Sequence, residues 1–154
     1  MYERILVPVD SSENSKDALK EAIKLAKLTG GKITVMHAYQ SWTPALIDNM
    51  EAWHAALKNA AKTILDNTQN IAAAAEGFKV ETLLVDGNAV QEIVNTANSG
   101  HFDLIVMGAR GVSKITEILL GSISSGVLKK ATCPVLIIKE KTKKTTNQIN
   151  LQKN

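Results

Sequence analysis

Five short apolar runs recur along the chain, each separated from the next by a stretch with helical periodicity, and this alternation limits the fold more than any other feature. The runs are residues 4–9 (RILVPV), 32–39 (KITVMHAY), 79–85 (KVETLLV), 103–107 (DLIVM) and 134–138 (PVLII). They are short, apolar and rich in β-branched residues, so they read as strands. After the first, Leu19, Ala22, Ile23 and Ala26 fall at the i, i+3, i+4, i+7 spacing of one helix face, and Gly30-Gly31 stops the helix. Residues 44–76 hold one or two helical stretches, with Pro44 suited to a first turn and Leu57, Ala60, Ala61, Ile64 and Leu65 forming a stripe. Residues 89–97 and 121–131 supply the remaining helices. Strands that alternate with helices pair in parallel, which predicts an α/β three-layer sandwich, Rossmann-like, around a five-stranded parallel sheet. Pro8 is the residue that resists. It lacks an N–H and proline is rare in central strands, so the first ladder is expected to lose one bond near its end.

A chain of 154 residues is one domain, expected over residues 1–140 with a polar basic tail at 141–154. The formal net charge of +3 sits in that tail region, where Lys139, Lys141, Lys143, Lys144 and Lys153 face Glu140 alone. The body is therefore close to neutral and carries no footprint for nucleic acid. No run approaches the ~20 apolar residues of a membrane helix. The opening Met1-Tyr2-Glu3-Arg4 leads straight into a strand, without a signal-like segment. With one cysteine, Cys133, an intramolecular disulfide is impossible, and a cytoplasmic location is expected.

In open α/β sheets, ligands bind beyond the carboxyl ends of the strands, where the strand order reverses. Strand 1 runs to Asp10. Strand 4 runs to Met107 and is followed by Gly108-Ala109-Arg110-Gly111, then after nine residues by Gly121-Ser122-Ile123-Ser124-Ser125-Gly126. Glycines let the backbone approach a ligand closely, and a helix starting near Gly121 offers unbonded N–H groups and the positive end of its dipole. That is a cradle for phosphate. The pattern G-x2-G-x9-G-[ST] after a strand is neither a Walker A loop nor the G-x-G-x-x-G fingerprint.

With these motifs assembled, the chain resembles the universal stress protein family, in its nucleotide-binding branch. ILVPVDSSENSKDAL, GNAVQEIVNTA, DLIVMGARG and GSISSGVLKKATCPVLIIK are similar to that family's blocks and reach from residue 4 to residue 139. The resemblance implies strand order 3-2-1-4-5 and ATP in the crevice between strands 1 and 4, with magnesium carried by the nucleotide phosphates. It implies that Pro8 and Val9 border the adenine, and that a backbone group at Ala38 recognises the adenine edge. Asp10 would hold the ribose or phosphate region, and Met107, Gly108 and Gly111 the ribose and first phosphates. Gly121, Ser122 and Ile123 would hold the remaining phosphates, with Ser124 helping. Two positions depart from the family's habit: Ser11 stands where glycine is frequent, and Ala89 where proline is frequent.

Several residues carry more than one reading. Asp10 is a cap, a ribose acceptor, a group that holds a metal's water ligands, or a general base. Arg110 either neutralises phosphate or faces solvent. Asp86-Gly87-Asn88 is a turn and cap, or a rim of the pocket. His37 is expected in the packed core, His54 and His101 on the surface, Cys133 in packing, and Trp42 and Trp53 either over the pocket or, more simply, in rim or core packing. No His-x3-His or Cys/His spacing suggests a metal cage. Strand 5, residues 134–138, is short, apolar and open on one edge, which predicts a homodimer by antiparallel pairing of this strand, as the resemblance also implies. The functions that remain are an ATP-binding signalling module, a slow ATPase, a receptor for a cyclic adenine nucleotide, and a dimeric interaction module without nucleotide.

Overall fold

The computed structural model describes residues 1–41, 49–110 and 120–139. Within them the chain runs β1 (Arg4–Pro8), α1 (Glu13–Thr29), β2 (Lys32–Tyr39), α2 (Met50–Ala74), β3 (Glu81–Asp86), α3 (Ala89–Ser99), β4 (Leu104–Gly108), α4 (Ser122–Lys130) and β5 (Val135–Ile138). The five strands form one sheet in the order β3-β2-β1-β4-β5, and every neighbouring pair is parallel. The expected α/β sandwich and strand order are therefore what the chain adopts. Gly111, Trp42, Pro44 and the tail at 141–154 lie outside the described residues.

Strand periodicity sorts the core into two layers. Ile5, Val7, Ile33, Val35, Leu104 and Val106 point to the face covered by α1 and α2, meeting Ala18, Leu19, Ala22, Ile23, Leu65 and Ala72. Leu6, Met36, Ile105 and Met107 point to the other face, meeting Ile93 and Ala97 of α3 and Val127 of α4. A strand buried on both faces must be apolar at every position, which is why β1 from Ile5 onward and β4 show no polar alternation, whereas β3 at the sheet edge keeps Glu81 and Thr82 exposed.

The boundaries differ from the sequence reading in instructive ways. β5 begins at Val135, because Pro134 has no N–H to give; its carbonyl still accepts the Ile105 N–H at 3.0 Å. Within the 44–76 region, the described residues form one helix of 25 residues, Met50–Ala74, capped by Asn49. It packs on the sheet only from Ala61 onward, while residues 50–56 are exposed, among them Trp53.

The pairing of β1 is lopsided. With β2 it runs from Arg4–Lys32 to Pro8–Met36, but with β4 it stops at Leu6–Ile105. In a strand, successive N–H groups alternate between the two neighbours. Asp103 N–H donates to Arg4 O on the β4 side, and Val9 N–H donates to Met36 O on the β2 side. Pro8 therefore falls on the β4 side, and the donor it lacks belongs to the ladder that has already ended. Proline sits in a central strand where its deficit coincides with a gap in the sheet.

Candidate functional site

Above that gap lies a cleft of about 250 Å³. One lip is the turn from β1 into α1. Asp10 follows Val9, and its Oδ1 accepts the Ser12 N–H at 2.8 Å. Ser12 caps α1 by accepting the Ser15 N–H at 3.2 Å. The Ser15 hydroxyl returns to the carbonyls of Asp10 and Ser12, at 2.9 Å each. The turn is closed by its own side chains, and Asp10 lines the cleft with one carboxylate oxygen engaged by the Ser12 amide.

The other lip runs from β4 into α4. Gly108 ends β4 where α1 crosses it: a Cβ there would lie 3.0 Å from the Asn14 carbonyl carbon and Cβ. Only glycine lets β4 and the start of α1 come this close. Gly121 is the N-cap of α4 and brings no side chain to cap it. Its N–H donates to Ala109 O at 2.8 Å. The Ser124 hydroxyl donates to the same carbonyl at 2.7 Å and lies near Gly121 O. Ser124 is 3% exposed, so its hydroxyl serves the loop rather than the space above it. Ser122 and Ile123, by contrast, are exposed at the cleft.

Of the twelve residues expected at the site, Pro8, Val9, Asp10, Ala38, Met107, Gly108, Arg110, Gly121, Ser122, Ile123 and Ser124 line this one cleft, and Gly111 lies outside the described residues. The sequence reading missed Ser15, Met36, His37, Ala89 and Ile93, which also line it. Met36 could have been found from Ala38, since alternate residues of one strand share a face. Ala89 and Ile93 follow from the helical spacing of α3. His37 is corrected from core to cleft: it is half-buried, and its Nδ1 lies 2.7 Å from Val9 O. A Cβ at Gly126 would meet Val90 at 2.8 Å, so this glycine lets α4 pack against α3.

Asp86-Gly87-Asn88 forms a turn and cap: Asn88 caps α3 by accepting the Gln91 N–H at 3.1 Å. Asp86 accepts the Ser41 N–H at 3.0 Å, and the bonds from Ser41 hold its carboxyl below the usual aspartate range. Cys133 packs beside the α3–α4 layer, where burial pushes its thiol up, so it remains a protonated packing group. Among the described residues no cluster of three His, Cys, Asp or Glu could hold a metal ion. No helix among them is long and apolar enough to cross a membrane.

Chemically, the cleft has apolar lining from Met36, Met107 and Ile93, an acidic corner at Asp10, the one carboxylate among its described lining residues, and backbone N–H groups at the start of α4. First-turn N–H groups have no intrahelical acceptor, and the helix dipole adds positive potential at the same place. An anion with an apolar body suits this arrangement.

Comparison with known proteins points the same way. The model of the universal stress protein family matches residues 1–139. The fold is similar to universal stress protein UspA from Lactobacillus plantarum, at 30% identity and a TM-score of 0.78, over 89% of this chain and 97% of that one. A universal stress protein in complex with cAMP is 29% identical with a TM-score of 0.66, over 89% of this chain and 96% of that one. The universal stress protein from Archaeoglobus fulgidus in complex with dAMP is 26% identical with a TM-score of 0.65, over 90% and 98%.

Proposed function

Because the chain belongs to the universal stress protein family, we propose that it is a cytoplasmic nucleotide-binding module that takes ATP into the cleft between β1 and β4. The observation that carries this reading is the uncapped start of α4, which turns the N–H groups of Ser122, Ile123 and Ser124 toward the cleft. Gly121 and Ser122 receive the outer phosphates, and Arg110 stands on the same lip. Gly108 and Met107 carry the ribose side, with Asp10 opposite as a hydroxyl acceptor. Pro8, Val9 and Ala38 flank the base. The complexes of related proteins with dAMP and cAMP support an adenine nucleotide as the class of ligand.

The donor set fits a triphosphate, and a magnesium ion would ride on the phosphates. Such an ion keeps most of its water and needs few protein ligands, for which Asp10 is the carboxylate at hand. Asp10 already accepts the Ser12 N–H, and the hydroxyls of Ser15 and Ser124 are committed to carbonyls. Among the described residues no side chain is placed as an evident base, so hydrolysis is expected below about 1 per second, the low end of ordinary enzymes. We further propose that β5 pairs antiparallel with β5 of a second copy. It is an edge strand, short and apolar, and Leu136 is 40% exposed on it.

Titration calorimetry with ATP and magnesium tests the first proposal. Saturable binding is expected, and no heat at millimolar nucleotide overturns it. The cAMP complex of a relative supports a second reading, a receptor for a cyclic adenine nucleotide. Competition settles the choice: cAMP displacing labelled ATP at lower concentration than unlabelled ATP would favour the receptor. Light scattering at micromolar protein is expected to give a dimer; a clean monomer rejects the β5 interface.

A further inference from the structure

We infer that His37 is a positioning residue for base recognition, because its imidazole takes the carbonyl that would otherwise hold the Ala38 amide. This rests on the nucleotide-binding reading above. In β2, even-numbered residues turn their N–H and C=O groups toward β1: Met36 O accepts the Val9 N–H at 2.8 Å. Odd-numbered residues turn toward β3: Tyr39 O accepts the Gly87 N–H at 2.8 Å. Ala38 therefore presents its amide and carbonyl to the β1 side. A parallel ladder continuing one step past Pro8–Met36 would give the Ala38 N–H to Val9 O.

The ladder does not continue. Its last pair is Pro8–Met36, and Val9 O lies 2.7 Å from His37 Nδ1. A carbonyl accepts only, so Nδ1 carries the hydrogen, in the neutral Nδ1–H tautomer or in the imidazolium. Meanwhile Ala38 stays registered with Val85 of β3, which fixes it from the other side. The outcome is a rigid strand position at the cleft wall whose adjacent N–H and C=O are withheld from the sheet. Such a pair suits a base edge that offers an acceptor next to an amino donor. Without the imidazole, Val9 O is open to the Ala38 amide, and the strand zips one residue further at the expense of the base site.

The experiment compares wild type, His37→Leu and His37→Asn by calorimetry with ATP and, separately, with sodium tripolyphosphate, which probes the α4 start alone. Leucine is similar in size and has no donor; the asparagine amide nitrogen branches from the same carbon as Nδ1 and restores it. His37→Leu is expected to weaken ATP about tenfold, the scale of one hydrogen bond, and to leave tripolyphosphate unchanged. His37→Asn is expected to recover most of that loss. ATP affinity in His37→Leu equal to wild type, or an equal loss for both ligands, overturns the inference. Wild type that fails to bind ATP overturns the nucleotide reading with it. Hydrogen exchange on the wild-type chain gives a second route that needs no variant. The Ala38 amide should exchange rapidly alone and become protected with ATP; protection in the nucleotide-free protein overturns the inference.

Discussion

The two helices that begin on either side of the cleft, α1 and α4, start in opposite ways. α1 has a serine at its N-cap and a second serine that returns to the turn, so the Ser12 and Ser15 amides and the carbonyls of Asp10 and Ser12 are bonded within the chain. α2 and α3 follow the same practice, with Asn49 and Asn88 as caps. α4 alone among the described helices is capped by glycine. A side-chain cap contributes roughly 1 kcal/mol. Its omission at one helix, the one whose start faces a cleft, leaves those amides to something from outside the chain. The lip of α1 is a finished piece of structure; the lip of α4 is complementary to an anion.

Giving α4 the cap it lacks should break that contrast. The N-cap dihedrals of Gly121, φ −62° and ψ 161°, suit a capping residue, and a Cβ there would sit no nearer than 3.4 Å to its neighbours. Gly121→Asp would place a carboxylate on the amides and repel phosphate. ATP affinity is expected to fall at least ~100-fold while Tm rises by about 2–4 °C. Calorimetry and a thermal melt read both; lost binding with a lowered Tm would mean damage instead of capping. Gly108→Ala attacks the place where the two lips touch. Its methyl would overlap Asn14 and should cost about 1–3 kcal/mol of stability, read by urea unfolding. Ser12→Ala removes the cap on the finished lip and should cost about 1 kcal/mol. ATP affinity should change by less than about twofold, because the Ser12 N–H, which holds Asp10, is backbone. Ser122→Ala is the mildest. It deletes one exposed hydroxyl and should weaken ATP by about threefold without moving Tm.

Much of this contrast was legible in the chain. β1 and β4 announced themselves as apolar runs because burial on both faces forbids polar alternation, and the glycine spacing marked the α4 lip. The sequence order of elements does not by itself give their order in the sheet; that came from the resemblance. What stayed hidden depends on partners distant in the chain. His37 looked like a core residue because a histidine in an apolar strand gives no sign that the carbonyl it meets is Val9 O, 28 positions earlier. The packing role of Gly126 was hidden because its neighbour, Val90, belongs to another helix. Ser124 read as a phosphate donor because the carbonyl it serves, Ala109 O, is 15 positions back.

Pro8 has a consequence for how such an opening persists. Two neighbouring parallel strands with full sets of amides can always anneal by another step, and an empty crevice between them is at risk of healing. A proline whose missing hydrogen faces that crevice removes one rung permanently, whatever occupies the space. The vacancy is thus written into the covalent structure of the central strand, and the sheet stays parted between visits of a ligand without an insertion or a bulky wedge to hold it.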